Sequence, residues 1–107
     1  MSKIEFFYWE DCPSHEQALA ILRDVMEEEG IADPIAVIEV KTEDEARQYR
    51  FYGSPTIHID GQDIVPPLED MIGPGLTCRA YRRADGRISP LPPREAIVAA
   101  FQKASRG

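Results

Sequence analysis

The sequence predicts a single α/β domain over residues 1–107, with a central mixed sheet, helices on both faces and an inserted loop before the last hairpin. Three observations carry that expectation. Short apolar, β-rich runs alternate with segments of helical period, as they do when parallel strands are joined by helical crossovers. A turn dipeptide, Asp60-Gly61, splits a later β-rich stretch into a hairpin. Residues 66–76, PPLEDMIGPGL, hold three prolines and two glycines, which rules out a long regular element there.

The elements follow in order. Ile4 to Tyr8 is apolar and aromatic apart from Glu5 and reads as a strand buried on both faces. From Pro13 the period changes: Ala18, Ile21, Leu22, Val25 and Met26 recur at helical spacing, and Gly30 ends the helix. Ile35 to Val40, IAVIEV, is a second strand, joined to the first by a right-handed crossover. Thr42 with Glu45 three residues on is a capping-box signature for a second helix over TEDEARQYR. Thr56 to Ile59 is a third strand, with a returning strand near Ile64. TCRAYRRADGRIS predicts another hairpin around Asp85-Gly86. PPREAIVAAFQKA is a final helix with proline at its first turn and Ile97, Val98 and Phe101 on one side.

Composition bounds the function classes. A chain of 107 residues supports one core. Hydrophobic residues make up 43% and charged residues 29%, as in a soluble globule, and no apolar run approaches the roughly 20 residues a membrane span needs. The first residues lack a secretory layout, so a cytoplasmic location and no membrane partner are expected. The net charge of −7 is uneven. Residues 1–76 carry 5 basic and 17 acidic side chains, whereas residues 77–107 carry 7 and 2. An acidic body argues against nucleic acid as a partner. Arg79, Arg82, Arg83, Arg87 and Arg94 read as a solvated basic face paired with nearby acids, or as a local anion site. No cofactor is expected.

The chemistry concentrates at two cysteines. In a cytosolic chain such residues are more often reactive or metal-binding than a structural staple. Cys12-Pro13 follows an aromatic strand and opens a helix, where unpaired amides and the positive helix end favour thiolate over thiol. Glu10 and Asp11 oppose that charge. His15, one turn along, would stabilise a thiolate if protonated or accept the thiol proton if neutral. The plain alternatives are an exposed histidine without a role and a buried apolar cysteine. Cys78 lies just after the inserted loop and ends near Cys12 if the strand near Ile64 runs back toward the helix mouth, the plain alternative being a small apolar residue inside a strand; Arg79 and its neighbours would favour its thiolate if they face it.

Cys12-Pro13 at a helix mouth, combined with Ser54-Pro55-Thr56 opening the third strand, resembles the thioredoxin-fold superfamily across nearly the whole chain. Within it the sequence is similar to short bacterial thioredoxin-like proteins that combine a CP site, a GSPTI.IDG stretch and a late CR.Y, some of them associated with organomercurial handling. The resemblance implies a cis Pro55 facing Cys12, with Pro13, Ser54, Pro55 and Thr56 forming the substrate edge where an extended peptide or thiol ligand pairs. This chain departs from the Cys-x-x-Cys pattern, because His15 stands where the second cysteine would be. A mixed disulfide on Cys12 then needs Cys78, brought in by loop motion, or an external thiol to release it. Three functions compete. One is a thiol-disulfide oxidoreductase or redox-responsive protein, acting on a protein or small-molecule thiol or disulfide. The second is a soft-metal or organomercurial-binding thiol protein. The third is a non-catalytic module for a protein partner. Leu68, Met71, Ile72 and Leu76 in the insertion would serve that partner, or a second copy in a homodimer.

Overall fold

Six strands and three helices are described in the computed structural model, which covers residues 3–65, 73–79, 81–82 and 85–106. They run in the order β1 (Ile4–Tyr8), α1 (His15–Glu28), β2 (Ile35–Glu39), α2 (Glu43–Tyr49), β3 (Thr56–Ile59), β4 (Gln62–Asp63), β5 (Tyr81–Arg82), β6 (Ile88–Ser89) and α3 (Arg94–Arg106). The main sheet has the order β2-β1-β3-β4. β1 pairs parallel with β2, and β3 lies antiparallel to both β1 and β4. β5 and β6 form a separate antiparallel pair, as expected around Asp85-Gly86.

Successive residues of β1 point to opposite faces, so Phe6 and Phe7 seed two cores. On one face Ile4 and Phe6 meet their cross-strand partners Ile59 and Ile57. They pack against Ala18, Leu22, Val25 and Met26 of α1 and Ile97 and Phe101 of α3. On the other face Phe7 packs with Val40, with Ala46 of α2 and with Phe51. Leu76, from the end of the proline-rich insertion, rests against this second core. Residues 66–72 of the insertion, including Leu68, Met71 and Ile72, lie outside the described residues.

Local signals set the element ends. Gly30 turns the chain after α1 at φ 69°, and Ile31 donates back to the Met26 carbonyl at 2.8 Å. Thr42 caps α2: its Oγ1 accepts from the Glu45 amide at 3.1 Å. The Glu45 carboxylate accepts from the Lys41 amide (2.9 Å), one residue beyond the usual reciprocal partner, the Thr42 amide. Asp60 and Gly61 both have positive φ, 55° and 82°, the signature of a type I′ hairpin.

Two boundaries differ from the expectation. α1 begins at His15 rather than Pro13, so Cys12 lies in the preceding turn, its amide bonded to the Trp9 carbonyl at 3.0 Å. The returning strand expected near Ile64 is Gln62–Asp63, because the two-residue turn pairs Ile59 with Gln62 at once, and the Ile64 amide still donates to the Ile57 carbonyl at 3.1 Å. Pro93 precedes α3 instead of lying in its first turn; its carbonyl accepts from Ala96 and Ile97.

The α2 face of the sheet is polar as well as aromatic. His58 is opposite Glu5 and Asp63 in the ladder and packs edge-on against Phe7, with ring centroids 4.8 Å apart. It is only 7% exposed. Burial lowers its pKa below 6.5; Asp63 and Glu5 pull it up, and Arg79 and Arg50 add to the lowering. The native state therefore binds this proton less readily than the unfolded chain. The associated stability is intact above about pH 6.5 and is lost as pH falls through the lowered native value. Urea unfolding should show stability falling more steeply on acidification for the natural protein than for His58→Gln; parallel pH profiles would remove this role.

Candidate functional site

Antiparallel pairing of β1 and β3 brings the end of β1 beside the start of β3, with Phe7 opposite Thr56. Cys12, just past β1, and Ser54, just before β3, therefore meet. The Cys12 Sγ donates to the Ser54 carbonyl across 3.5 Å. The Ser54–Pro55 peptide bond is cis. Ser54 and Thr56 are fully buried, Pro55 is among the most enclosed side chains, and Pro13 is exposed. The hydroxyl of Ser54 is buried and has no hydrogen-bond partner.

A third segment completes the site. Thr77 to Arg79 runs parallel to Ser54 as a single β-bridge centred on Cys78. The Ser54 amide donates to the Thr77 carbonyl at 2.7 Å, and the Arg79 amide donates to the Ser54 carbonyl at 2.9 Å. The strands come close because residue 53 is glycine. A Cβ there would lie 2.8 Å from the Arg79 Cα and N, and its φ of 130° is one that side chains rarely adopt. The register puts the two sulfurs 2.8 Å apart, Cys78 donating to Cys12, both as free thiols. No loop motion is needed to bring Cys78 in: of the two placements considered, the one near Cys12 is found.

Cys12 is completely buried, although polar residues flank it, and Cys78 is exposed. The Cys78 thiol is pushed up to about 11, first by its hydrogen bond to Cys12, then by desolvation, then by the Cys12 charge. Arg79 does not favour a Cys78 thiolate as expected, because it faces away from the sulfur. Its Nη1 meets Asp63 Oδ2 at 2.7 Å and Thr56 Oγ1 at 3.2 Å, and its Nη2 donates to the Val65 carbonyl at 2.8 Å. The guanidinium carbon lies 4.7 Å from the Tyr81 ring centroid, and the Tyr81 hydroxyl donates to the Pro55 carbonyl at 2.5 Å.

Arg79 is thus 2% exposed and does not belong to a solvated basic face. Arg94 and Arg87 do pair with surface acids: Arg94 with Asp24 and Glu28, and Arg87 with Asp85. Arg82 and Arg83 lie among side chains outside the described residues. The signal for the buried arginine was present in TCRAY. A strand alternates faces, so an outward Cys78 turns Arg79 and Tyr81 inward together. Asp63 and Gly53 were also missed, since neither motif nor spacing marks a partner so far along the chain.

His15 does not join the pair. Its ring stacks on Tyr8 with centroids 4.6 Å apart, and no hydrogen bond links it to Cys12. Among the described residues no group of three or more His, Cys, Asp or Glu stands together to hold a metal, and no helix is long and apolar enough to cross a membrane. No protein-family model matches the chain, and no curated protein matches it. The chain is a small α/β domain with a mixed four-stranded sheet, three helices and two juxtaposed thiols.

Two outcomes are expected. Replacing Arg79 with Leu leaves Asp63 without its buried partner, and urea unfolding of the reduced protein should show a loss of about 3–5 kcal/mol. Removing Cys12 as Cys12→Ala deletes the largest cause of the raised Cys78 value. Thiolate absorbance should then show Cys78 titrating well below about 11, toward an ordinary thiol.

Proposed function

We propose that this chain is a thioredoxin-like thiol-disulfide oxidoreductase or redox-responsive protein that opens and closes a Cys12–Cys78 disulfide. The observation that carries the reading is the pair of free thiols 2.8 Å apart at the mouth of α1. Two sulfurs so close need little movement to bond, and exchange with an external disulfide supplies the oxidant. The thioredoxin-like assignment is supported by the parallel β1-α1-β2 unit, the cysteine before α1 and the Ser54-Pro55-Thr56 segment beside it. In this reading Cys78 does the work of the cysteine that is absent at position 15.

The soft-metal alternative is less well supported by the spacing. Sulfurs sharing a tetrahedral zinc at about 2.3 Å each sit roughly 3.8 Å apart, and a linear two-thiolate site spreads them further. A metal would have to part the pair, whereas a disulfide would draw it together. His15, which could serve as a further donor, is held against Tyr8.

The test is equilibration of the natural protein in buffers of graded thiol-disulfide ratio, followed by acid quench, alkylation and mass measurement. One cooperative, reversible transition between the dithiol and the intramolecular disulfide is expected, absent in Cys12→Ala and in Cys78→Ala. No disulfide at any poise, with stoichiometric protection of both thiols by a soft metal, would transfer the site to the metal-binding reading. Two thiols inert to both would leave a partner-binding module.

A further inference from the structure

The two sulfurs of the pair are not equivalent. Cys12 is wholly buried, behind a Ser54 carbonyl that accepts from its sulfur. Cys78 is exposed. Any reagent from solvent meets the Cys78 sulfur first.

The main chain beside them is already occupied. An extended polypeptide docking next to Pro55 would pair with the amide and carbonyl of Ser54, since such recognition works through main-chain hydrogen bonds to a free edge. Both groups are taken by the protein's own Thr77 and Arg79, at 2.7 and 2.9 Å. That occupant is anchored. Arg79 is tied to Asp63, Thr56 and Val65, and its backbone fills the space above Gly53. A docking peptide would have to break a buried ion pair to reach Ser54. A small disulfide needs only the exposed sulfur.

We propose that Cys78 is the sulfur through which the pair exchanges with external thiols, that Cys12 is the buried closing sulfur, and that the substrate is a low-molecular-weight disulfide or thiol rather than an extended polypeptide. This rests on the dithiol reading above. In the oxidising direction the external disulfide is the oxidant. The Cys78 thiol gives its proton to solvent, and its sulfur attacks one of the two external sulfurs. A bond forms between Cys78 and the first external sulfur, the external S–S bond breaks, and the second leaves as a thiolate that takes a proton. Cys12 then gives up its proton and its sulfur attacks Cys78. The Cys12–Cys78 bond forms, the mixed disulfide breaks, and the remaining external thiolate leaves and is protonated. Two protein thiols are oxidised to one disulfide, one external disulfide is reduced to two thiols, and the two protons lost by the protein end on them. In reverse, an external thiolate attacks the exposed Cys78 sulfur and Cys12 departs.

Trapping by single-cysteine variants tests the assignment. With oxidised glutathione as the small disulfide, Cys12→Ala should capture a mixed disulfide on Cys78 at least about tenfold faster than Cys78→Ala captures one on Cys12. Equal rates, or the reverse, overturn the assignment of roles. A disulfide-linked dimer of an extended cysteine peptide should react with Cys12→Ala no faster than oxidised glutathione does. A gain above about tenfold for the peptide overturns the substrate class and indicates docking on Ser54. Partial alkylation of the natural protein, with the first-labelled cysteine mapped by mass spectrometry, applies the same test if a variant fails to fold. Label on Cys78 first is expected, and label on Cys12 first overturns the proposal. Reversible closure of the natural protein in the graded thiol buffers tests the dithiol reading separately: closure with capture at Cys12 sinks this proposal alone, whereas no closure sinks both.

Discussion

The geometry of the site depends on one buried ion pair. A guanidinium removed from water is tolerated only where its charge is matched and its N–H groups find acceptors. Arg79 has such a place: the Asp63 carboxylate, the Thr56 hydroxyl and the Val65 carbonyl around its edge, and Tyr81 beside its plane. Because that set exists at one spot, the chain at Thr77 to Arg79 is held in one register against Ser54. A slip of one residue would turn Arg79 outward and Cys78 inward, since strand side chains alternate. The ion pair therefore sets which residue stands over Cys12, although it takes no part in any sulfur chemistry.

The sheet separates two tasks. Its α1 and α3 face is closed with aliphatic and aromatic side chains around Phe6 and Leu22. This burial is non-directional and supplies cohesion. The α2 face carries Phe7 and Phe51 but also His58, Thr56 and Asp63, whose polar atoms can be buried only with specific partners. Directional contacts on that face aim the Thr77 to Arg79 segment, and the site lies at its rim. The unpartnered Ser54 hydroxyl is the one buried side-chain polar atom among the described residues left outside this arrangement, and it belongs to the residue that both cysteines adjoin.

A thiol pair built from distant segments behaves differently from two cysteines on one helical turn. The helix would fix both sulfurs relative to a single dipole. Here one sulfur is buried behind the β1–β3 junction and the other stands on an exposed bridge. Access is consequently divided between them, and the exposed thiol is the one whose pKa the contact raises. His15, in the position where a helical partner would stand, stacks on Tyr8 at the end of β1.

Much of the architecture was legible in the sequence because it rests on local rules. The period of Leu22, Val25 and Met26, the Thr42 cap, the Asp60-Gly61 turn and Gly30 each act within a few residues, so element order and the mixed sheet could be read directly. Boundaries shifted where backbone hydrogen bonds decided them, as at Cys12, whose amide turns back to Trp9 rather than entering the helix. The residues Cys12, Ser54, Pro55 and Cys78 could be singled out one by one. Their distances and the burial of Cys12 could not, because the partners are 42 and 66 residues apart in the chain. Sequence by itself determined which side chains could do thiol chemistry. Only the tertiary structure, through the register imposed by a buried charge seeking its one set of partners, decided that the two thiols meet and which of them faces solvent.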